Sequence, residues 1–482
     1  MKILIASSEV HPYSKTGGLA DMVGGLAKAL ARAGHRVGVV TPLYAGIAEH
    51  FPNLTQLPHP LDLPLGEQQV SGRVWALEVE ECLTVYFVDQ PAFYFRAAPY
   101  GLNGTDFPDN AERFIFFSKA VVELARQLPW QPELVHAHDW QAGLVPLLLL
   151  HQRHRAGWGS APHTCLTVHN LAYQGLFPRD RFALTNLPWA HFQPEGVEFF
   201  GQLSCLKAGL IHADAITAVS PRYAREITTP EFGCGLDGLL RQRRRALTGI
   251  LNGADYEEWN TTDNPFLRKP YFAADLRGKT AAKLELQREF GLPVDETMPL
   301  FGSINRLVEQ KGVEIQLAAL EEMVPAGLQF VLLGSGEKDF ERAYRELAAR
   351  HPDRVAVRFG FDQGLSHRIE AGCDFFLMPS RFEPCGLNQL YSLRYGTVPI
   401  VRMTGGLDDS VIDVTEDDER ANGIKFEEYS SRALAKGIRK ALALYAEPAW
   451  LAHYRRNGMA ADFSWQKTAA NYEQVYQSVL GQ

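Results

Sequence analysis

Apolar runs of strand length alternate with stretches of helical periodicity along this chain, and the plan runs twice. The chain opens with KILIAS, residues 2–7, followed by a glycine-containing loop. Residues 22–30, MVGGLAKAL, then repeat Ala and Leu on one helical face, and RVGVVTP, 36–42, is the next apolar run. Strand, loop, helix and strand in that order make a parallel α/β unit, because parallel neighbours need a crossover that packs on the sheet. Further strands are predicted at 83–89, 134–139, 165–170 and 215–220. The second half repeats the pattern at 299–305, 330–336, 355–360, 374–380, 397–403 and 423–428. Helices are expected at 312–322, 337–350 and 465–480.

A chain of 482 residues exceeds what one core normally organises. The segment ILNGADYEEWNTTDNPFLRKPY, 250–271, is rich in Asn, Asp, Thr and Pro and lies between the two series. It predicts an interdomain connection. Each half also carries the hexapeptide pattern T-G-G-L-x-D, at 16–21 and again at 404–409. Ligands of doubly wound sheets bind at the carboxyl ends of the strands. Two such domains would bring both glycine loops to one shared cleft, and closure would let the loops meet. The competing reading is a recurrent turn in a glycine-rich chain.

Composition narrows the function. The net charge is −8, so no global basic field invites nucleic acid. The one basic run, 241–245, reads as a solvated helix face or loop. Six cysteines, none in a C-x-x-C pair, give neither a zinc site nor a disulfide framework and suit reduced cytosolic thiols. No apolar run approaches the roughly 18 residues of a membrane span. A soluble, cytoplasmic protein is expected, with neither membrane nor nucleic acid as partner.

Several short segments could carry chemistry. Glycine pairs let backbone N–H groups approach an anion, and Lys15 adds charge before the first pair. The form is neither a P-loop nor the dinucleotide G-x-G-x-x-G. GSGEKDF, 334–340, lacks the third glycine and reads as a tight strand-to-helix turn. In SINRLVEQKG, Arg306 and Lys311 follow a strand, as two cations serving a diphosphate would, or as ordinary surface charges. In SRFEPCGLNQLY, Cys385, Gly386 and Leu387 are expected to open a helix whose free N–H groups favour an anion. Glu383 before them would hold sugar hydroxyls, or merely cap that helix. HAHDW and TVHN put Asp139 and His169 at strand ends. No metal-binding His pair on a helix and no G-x-S-x-G elbow occurs, so metal-dependent and serine hydrolysis lack support.

KTGGLAD, HAHDWQAGL, TVHNLAYQG, GILNGAD, NRLVEQKG, SRFEPCGLNQLY and VRMTGGLDD, in this order, resemble the bacterial glycogen synthases and plant starch synthases that use ADP-glucose. The resemblance covers essentially the whole chain. It implies the GT-B fold: two Rossmann-like doubly wound α/β domains facing across a deep cleft. The expected divisions are 1–250 on the acceptor side, 251–460 on the nucleotide-sugar side, and 461–482 as a helix returning to the first domain. The implied reaction moves glucose from ADP-glucose to the non-reducing-end 4-hydroxyl of an α-1,4-glucan such as glycogen, retaining anomeric configuration and releasing ADP. No cofactor or metal is implied.

By the same resemblance, Lys15, Gly17, Gly18 and Asp21 lie where donor and acceptor meet. Arg306 and Lys311 would neutralise the diphosphate, and Glu383 would hold glucose hydroxyls. Cys385, Gly386, Leu387 and Asn388 would adjoin sugar and phosphate, and Thr404, Gly405 and Gly406 would offer backbone groups near the glucose. Asp139, His169 and Asn252 would line the glucose side, with His169 touching the sugar through ring and backbone. No residue suggests a covalent nucleophile, so front-face displacement is expected, with the leaving phosphate assisting deprotonation. Some positions depart from the family's pattern. Phe361 stands where a Tyr often stacks on adenine, Asn388 where Thr is usual, and Phe95 where an acidic residue is expected. Tyr391 replaces the second Glu of the E-x7-E motif of other retaining GT-B enzymes, as is usual in this family. The alternative is a GT-B transferase using UDP-glucose or a smaller acceptor.

Overall fold

The computed structural model describes residues 1–102, 104–152 and 161–481. It divides into two compact units, Met1–Gly253 with Trp465–Gln482, and Ala254–Ser464.

In the first unit, seven parallel strands form the body of the sheet: Lys2–Ala6 (β1), Arg36–Pro42 (β2), Leu83–Asp89 (β3), Leu134–His138 (β4), His163–Val168 (β5), Ala215–Ala218 (β6) and Leu247–Gly249 (β7). Their spatial order is 7-6-5-4-1-2-3. The strands are apolar throughout because helices cover both faces; Ile3, Leu4, Ile5 and Ala6 are fully buried. The strand Gln68–Glu80 was not anticipated. It runs antiparallel beyond β3 and forms a hairpin with Leu61–Leu65. Only alternate residues of Leu61–Leu65 are buried, so these strands lack the continuous apolar run that marks the central ones.

The second unit holds a six-stranded, wholly parallel sheet. Its strands are Leu300–Leu307 (β8), Gln329–Gly336 (β9), Val355–Phe359 (β10), Phe375–Met378 (β11), Val398–Arg402 (β12) and Ile424–Phe426 (β13). Their order is 10-9-8-11-12-13, the 3-2-1-4-5-6 arrangement of a doubly wound dinucleotide-binding sheet. Direction of progression reverses between β8 and β11, as it does between β1 and β4 in the first unit. These two switch points are where the sheet edge opens a crevice for a ligand.

Four helices matter below: Gly18–Arg32 (α1), Gln363–Gly372 (α2), Asn388–Arg394 (α3) and Trp465–Leu480 (α4). The last belongs to the first unit. Its Trp465 lies against Gly25 of α1, where an added Cβ would come within 2.2 Å of the indole. Tyr476 Oη hydrogen-bonds His136 Nδ1 at 2.8 Å. The segment 254–271 belongs to the second unit and packs on α2 and α3. No helix among the described residues is long and apolar enough to cross a membrane.

Candidate functional site

The switch point of the second unit gathers three segments. Arg306 lies near the end of β8, and beyond the strand the chain passes Lys311 and reaches Gly312, whose φ of 71° is left-handed. A Cβ there would lie 2.0 Å from the Pro379 carbonyl oxygen, so only glycine lets this loop press against the strand exit after β11. The contact is stitched by Arg381 N–H donating to the Gln310 carbonyl at 2.8 Å and by Gln310 Nε2 donating to that of Phe382. It brings Lys311 Nζ to 2.5 Å from Glu383 Oε2. Ser380 Oγ donates to the same carboxylate oxygen at 3.1 Å. Glu383 is thus a buried acceptor held by a cation and a hydroxyl, and it caps no helix. The Arg306 side chain, exposed at the end of β8, engages no partner among the described residues.

The third segment is the second T-G-G-L loop, which follows β12. Gly405 has a φ of 42°, and a Cβ on it would sit 2.0 Å from the Glu383 carbonyl oxygen. The Gly406 N–H is turned inward and donates to the carbonyls of Glu383 and Pro384. In this structure Gly406 therefore clamps the Glu383 segment rather than presenting a free donor. Thr404, fully buried, precedes the pair. The expectation that Cys385, Gly386 and Leu387 open a helix needs correction. Gly386 is left-handed, with φ 72°, Leu387 is the N-cap, and α3 begins at Asn388. Asn388 Nδ2 donates to the Ile304 carbonyl at 2.6 Å, tying the start of α3 to β8. Phe361 stands apart on the loop between β10 and α2, 83 % exposed.

The first unit builds its site the same way. Beyond β1, Glu9 is 3 % exposed and binds the loop ahead of α1. It accepts from the Thr16 backbone N–H, from Thr16 Oγ1 at 2.7 Å and from Tyr100 Oη at 2.6 Å. Lys15, exposed, pairs with Asp21 Oδ1 at 2.7 Å. Gly17 is extended and an added Cβ would meet nothing within 4 Å. Glu9 and Tyr100 carry no motif of their own. The only signal for Glu9 was its place between a strand and the glycine loop.

Across the switch point, Asp139 directly follows β4 with a φ of 54°, a conformation that costs a non-glycine residue about 1 kcal/mol or more. That turn aims Oδ1 at the His169 backbone N–H, 2.7 Å away. The pair is therefore not a carboxylate–imidazole dyad. Burial pushes the Asp139 carboxyl up to about 7, against the pull of the N–H groups of His169 and Asn170. The His169 ring faces another histidine instead, with its Nε2 3.0 Å from His138 Nδ1. Burial holds His169 down at about 3, so both rings are neutral at pH 7. One must donate to the other, which fixes the tautomer of each. His136 packs behind His138, with ring centroids 4.1 Å apart and the planes tilted by 40°, and bonds Thr167 Oγ1 at 2.6 Å. Asn252 is 4 % exposed, and its Oδ1 has no hydrogen-bond partner among the described residues. Such orphaned acceptors are uncommon in a folded chain and suit a ligand group.

Residues 241–245 are not a basic patch for a polyanion: Arg241 pairs with Asp237, and Arg243 donates to backbone carbonyls of residues 211 and 213. Among the described residues, no group of His, Cys, Asp or Glu is gathered as a metal ligand set.

Comparison with known proteins agrees with this construction. Residues 2–242 match the starch synthase catalytic domain family, and residues 287–457 match glycosyl transferases group 1. Glycogen synthase from Anaeromyxobacter dehalogenans is 49% identical over 99% of each chain. Glycogen synthase 2 from Nitrosococcus oceani is 47% identical over 100% of this chain and 98% of its own. The catalytic domain of starch synthase IV from Arabidopsis thaliana, solved with ADP and acarbose, superposes with a TM-score of 0.91 at 33% identity, covering 100% of this chain and 99% of that one. Two doubly wound units, site residues at both switch points and full-length similarity lead to one conclusion: the chain belongs to the glycogen and starch synthase family of glycosyltransferases and has the GT-B fold.

Proposed function

We propose that the enzyme transfers glucose from ADP-glucose to the non-reducing-end 4-hydroxyl of an α-1,4-glucan, with retention and release of ADP. The observation that carries the reading is the pairing of Lys311 with Glu383 at the second unit's switch point, with Arg306 at the end of β8 engaging no partner among the described residues. A carboxylate suits sugar hydroxyls, and two cations suit the charge that grows on a departing diphosphate. The ADP and acarbose bound by the Arabidopsis enzyme support the choice of a nucleotide and an oligosaccharide.

In this reading the donor diphosphate draws Lys311 from Glu383 and shares it with Arg306. These side chains, rather than a bound metal ion, meet the leaving charge. Glu383, relieved of its cation, accepts from glucose hydroxyls. Phe361 offers a ring face to the adenine, and Cys385, Gly386, Leu387 and Asn388 border sugar and phosphate. In the first unit, the neutral His169 ring and its carbonyl are the groups left to contact the transferred glucose, because Asp139 occupies its N–H. Lys15, Gly17, Gly18 and Asp21 adjoin the acceptor. The glycosidic bond forms on the face from which ADP departs, and the acceptor's 4-hydroxyl proton passes to the leaving phosphate oxygen. The assignment is cytoplasmic, where ADP-glucose and reduced thiols coexist.

The test is a purified-enzyme assay with glycogen and either ADP-glucose or UDP-glucose, following nucleotide release and the linkage formed. Expected is ADP-glucose-dependent extension through new α-1,4 bonds. Faster turnover with UDP-glucose, or nucleotide release without chain extension, would overturn the reading.

A further inference from the structure

The stretch 250–271 reads in sequence as an interdomain connection, and from residue 254 onward it belongs to the second unit, with its side chains built into that unit. Trp259 lies flat between two rings. Its centroid is 3.8 Å from that of Tyr391 on α3, with the planes 3° apart, and 4.0 Å from that of His367 on α2, at 14°. Each neighbour in this three-ring stack comes from a different helix. Further contacts flank it on both sides. Toward α2, Glu258 Oε1 accepts from Gln363 Nε2 at 2.8 Å, and the Phe266 ring lies against Gly364, where an added Cβ would come within 2.9 Å. Toward α3, Asn264 Nδ2 donates to Tyr395 Oη at 2.8 Å, and Arg394 lies over the Tyr256 ring at 4.3 Å.

The residues gripped on α2 are its first turns. Asp362 caps that helix by accepting from the Leu365 N–H at 2.8 Å, and Phe361 stands immediately before the cap. The other helix, α3, continues directly from the Ser380, Glu383 and Asn388 segment. A ring stack of this kind resists shear of one helix against the other more than a single contact would.

We infer that Trp259 is a positioning residue for the nucleotide end of the donor: wedged between α2 and α3, it sets the Phe361 loop relative to the segment that carries Glu383. The inference rests on the reading of Phe361 as the surface for the base. Loss of the wedge frees Phe361 and spares Lys311 and Glu383, which hold each other, and Arg306, which is carried by β8 rather than by α2 or α3. It therefore weakens nucleotide recognition more than it slows chemistry.

The experiment measures ADP binding by titration calorimetry and steady-state kinetics on the full chain, for Trp259→Ala, Trp259→Phe and Phe361→Ala. Expected for Trp259→Ala is a roughly tenfold rise in the Kd for ADP and the KM for ADP-glucose, with kcat and the KM for glycogen within about threefold of wild type. Trp259→Phe, which keeps a stacking ring, should recover most of the loss. If Phe361→Ala leaves ADP binding intact, the donor reading beneath the proposal fails. If Phe361→Ala weakens ADP binding but Trp259→Ala does not, the wedge itself is overturned. A loss of kcat, both KM values and thermal stability together, without rescue by Phe, would likewise overturn it by showing a purely structural role. Should Trp259→Ala fail to fold, Glu258→Ala removes the bond to Gln363 and the 4.0 Å approach of the same carboxylate to His367 Nε2, leaving the Trp259 ring in place. It should raise the Kd for ADP about twofold to threefold with kcat unchanged, and an unchanged Kd would overturn the proposal.

Discussion

Lys311 Nζ lies 2.5 Å from Glu383 Oε2, and the two side chains are 20% and 8% exposed. Without substrate, each neutralises the other inside the site. Lys311→Ala leaves a mostly buried carboxylate with Ser380 as its one remaining side-chain donor among the described residues, which should destabilise the fold by about 1–3 kcal/mol. It should also lower kcat by roughly 10²-fold, as loss of a transition-state donor does. The double variant Lys311→Ala/Glu383→Ala should recover part of the stability and none of the activity. Denaturant titration beside an initial-rate assay separates the two. A double variant less stable than Lys311→Ala alone would refute the account.

Arg306 is a different case, because no protein group depends on it among the described residues. Arg306→Ala should lose roughly 10²-fold in kcat while the unfolding midpoint stays within about 0.5 kcal/mol of wild type. Near-normal turnover would remove it from the leaving-group site.

The Asp139 carboxyl and the His169 N–H give a pH prediction. The folded value for Asp139 is raised to about 7. Its contribution to stability is therefore fully present below the unfolded value near 4 and is lost as pH rises through about 7. His169 and His136 act in the opposite sense. Their folded values are lowered to about 3, so their contribution is present above about 6.5 and is lost as pH falls through about 3. Asp139→Asn keeps an acceptor for the His169 N–H and removes only the first effect. Denaturation at pH 5 and pH 8 should show wild type losing stability relative to Asp139→Asn on going to the higher pH. An equal difference at both values would contradict the raised carboxyl.

The central parallel strands were legible because a strand covered on both faces is predominantly apolar, as in KILIA and in PLFGSIN. The pair 61–65 and 68–80 was not, since one-sided burial mixes charge into the run. Candidate site residues at strand exits, such as Arg306 and Asp139, could be read from position. What could not be read was which polar groups satisfy one another. Glu9 holding Thr16 and Tyr100 joins groups 7 and 91 residues apart in the chain. The His138–His169 contact likewise depends on the register of β4 beside β5. The start of α3 was placed three residues early because Gly386 fits a helical pattern in sequence while its backbone turns left-handed.

The two T-G-G-L-x-D loops share letters but not topology. The first follows β1, the first strand of its sheet; the second follows β12, the fifth strand of its own. Their leading glycines also serve different physics. Gly17 is extended, with open space where a Cβ would go, so Gly17→Ala should fold normally. Any loss of activity there must come from crowding a substrate, and a rise in the KM for glycogen at unchanged stability is expected. Gly405 is left-handed, with its Cβ position blocked by the Glu383 backbone. Alanine there must either strain its own φ or push Glu383 away from Lys311, which costs about 1–3 kcal/mol. Gly405→Ala should therefore lose stability and kcat together, with kcat falling at least roughly tenfold because the displaced carboxylate is the group proposed to hold the sugar. Thermal melts and kinetics on the two variants decide the matter. If Gly405→Ala behaves like Gly17→Ala in both measurements, the second loop is not the clamp that sets Glu383.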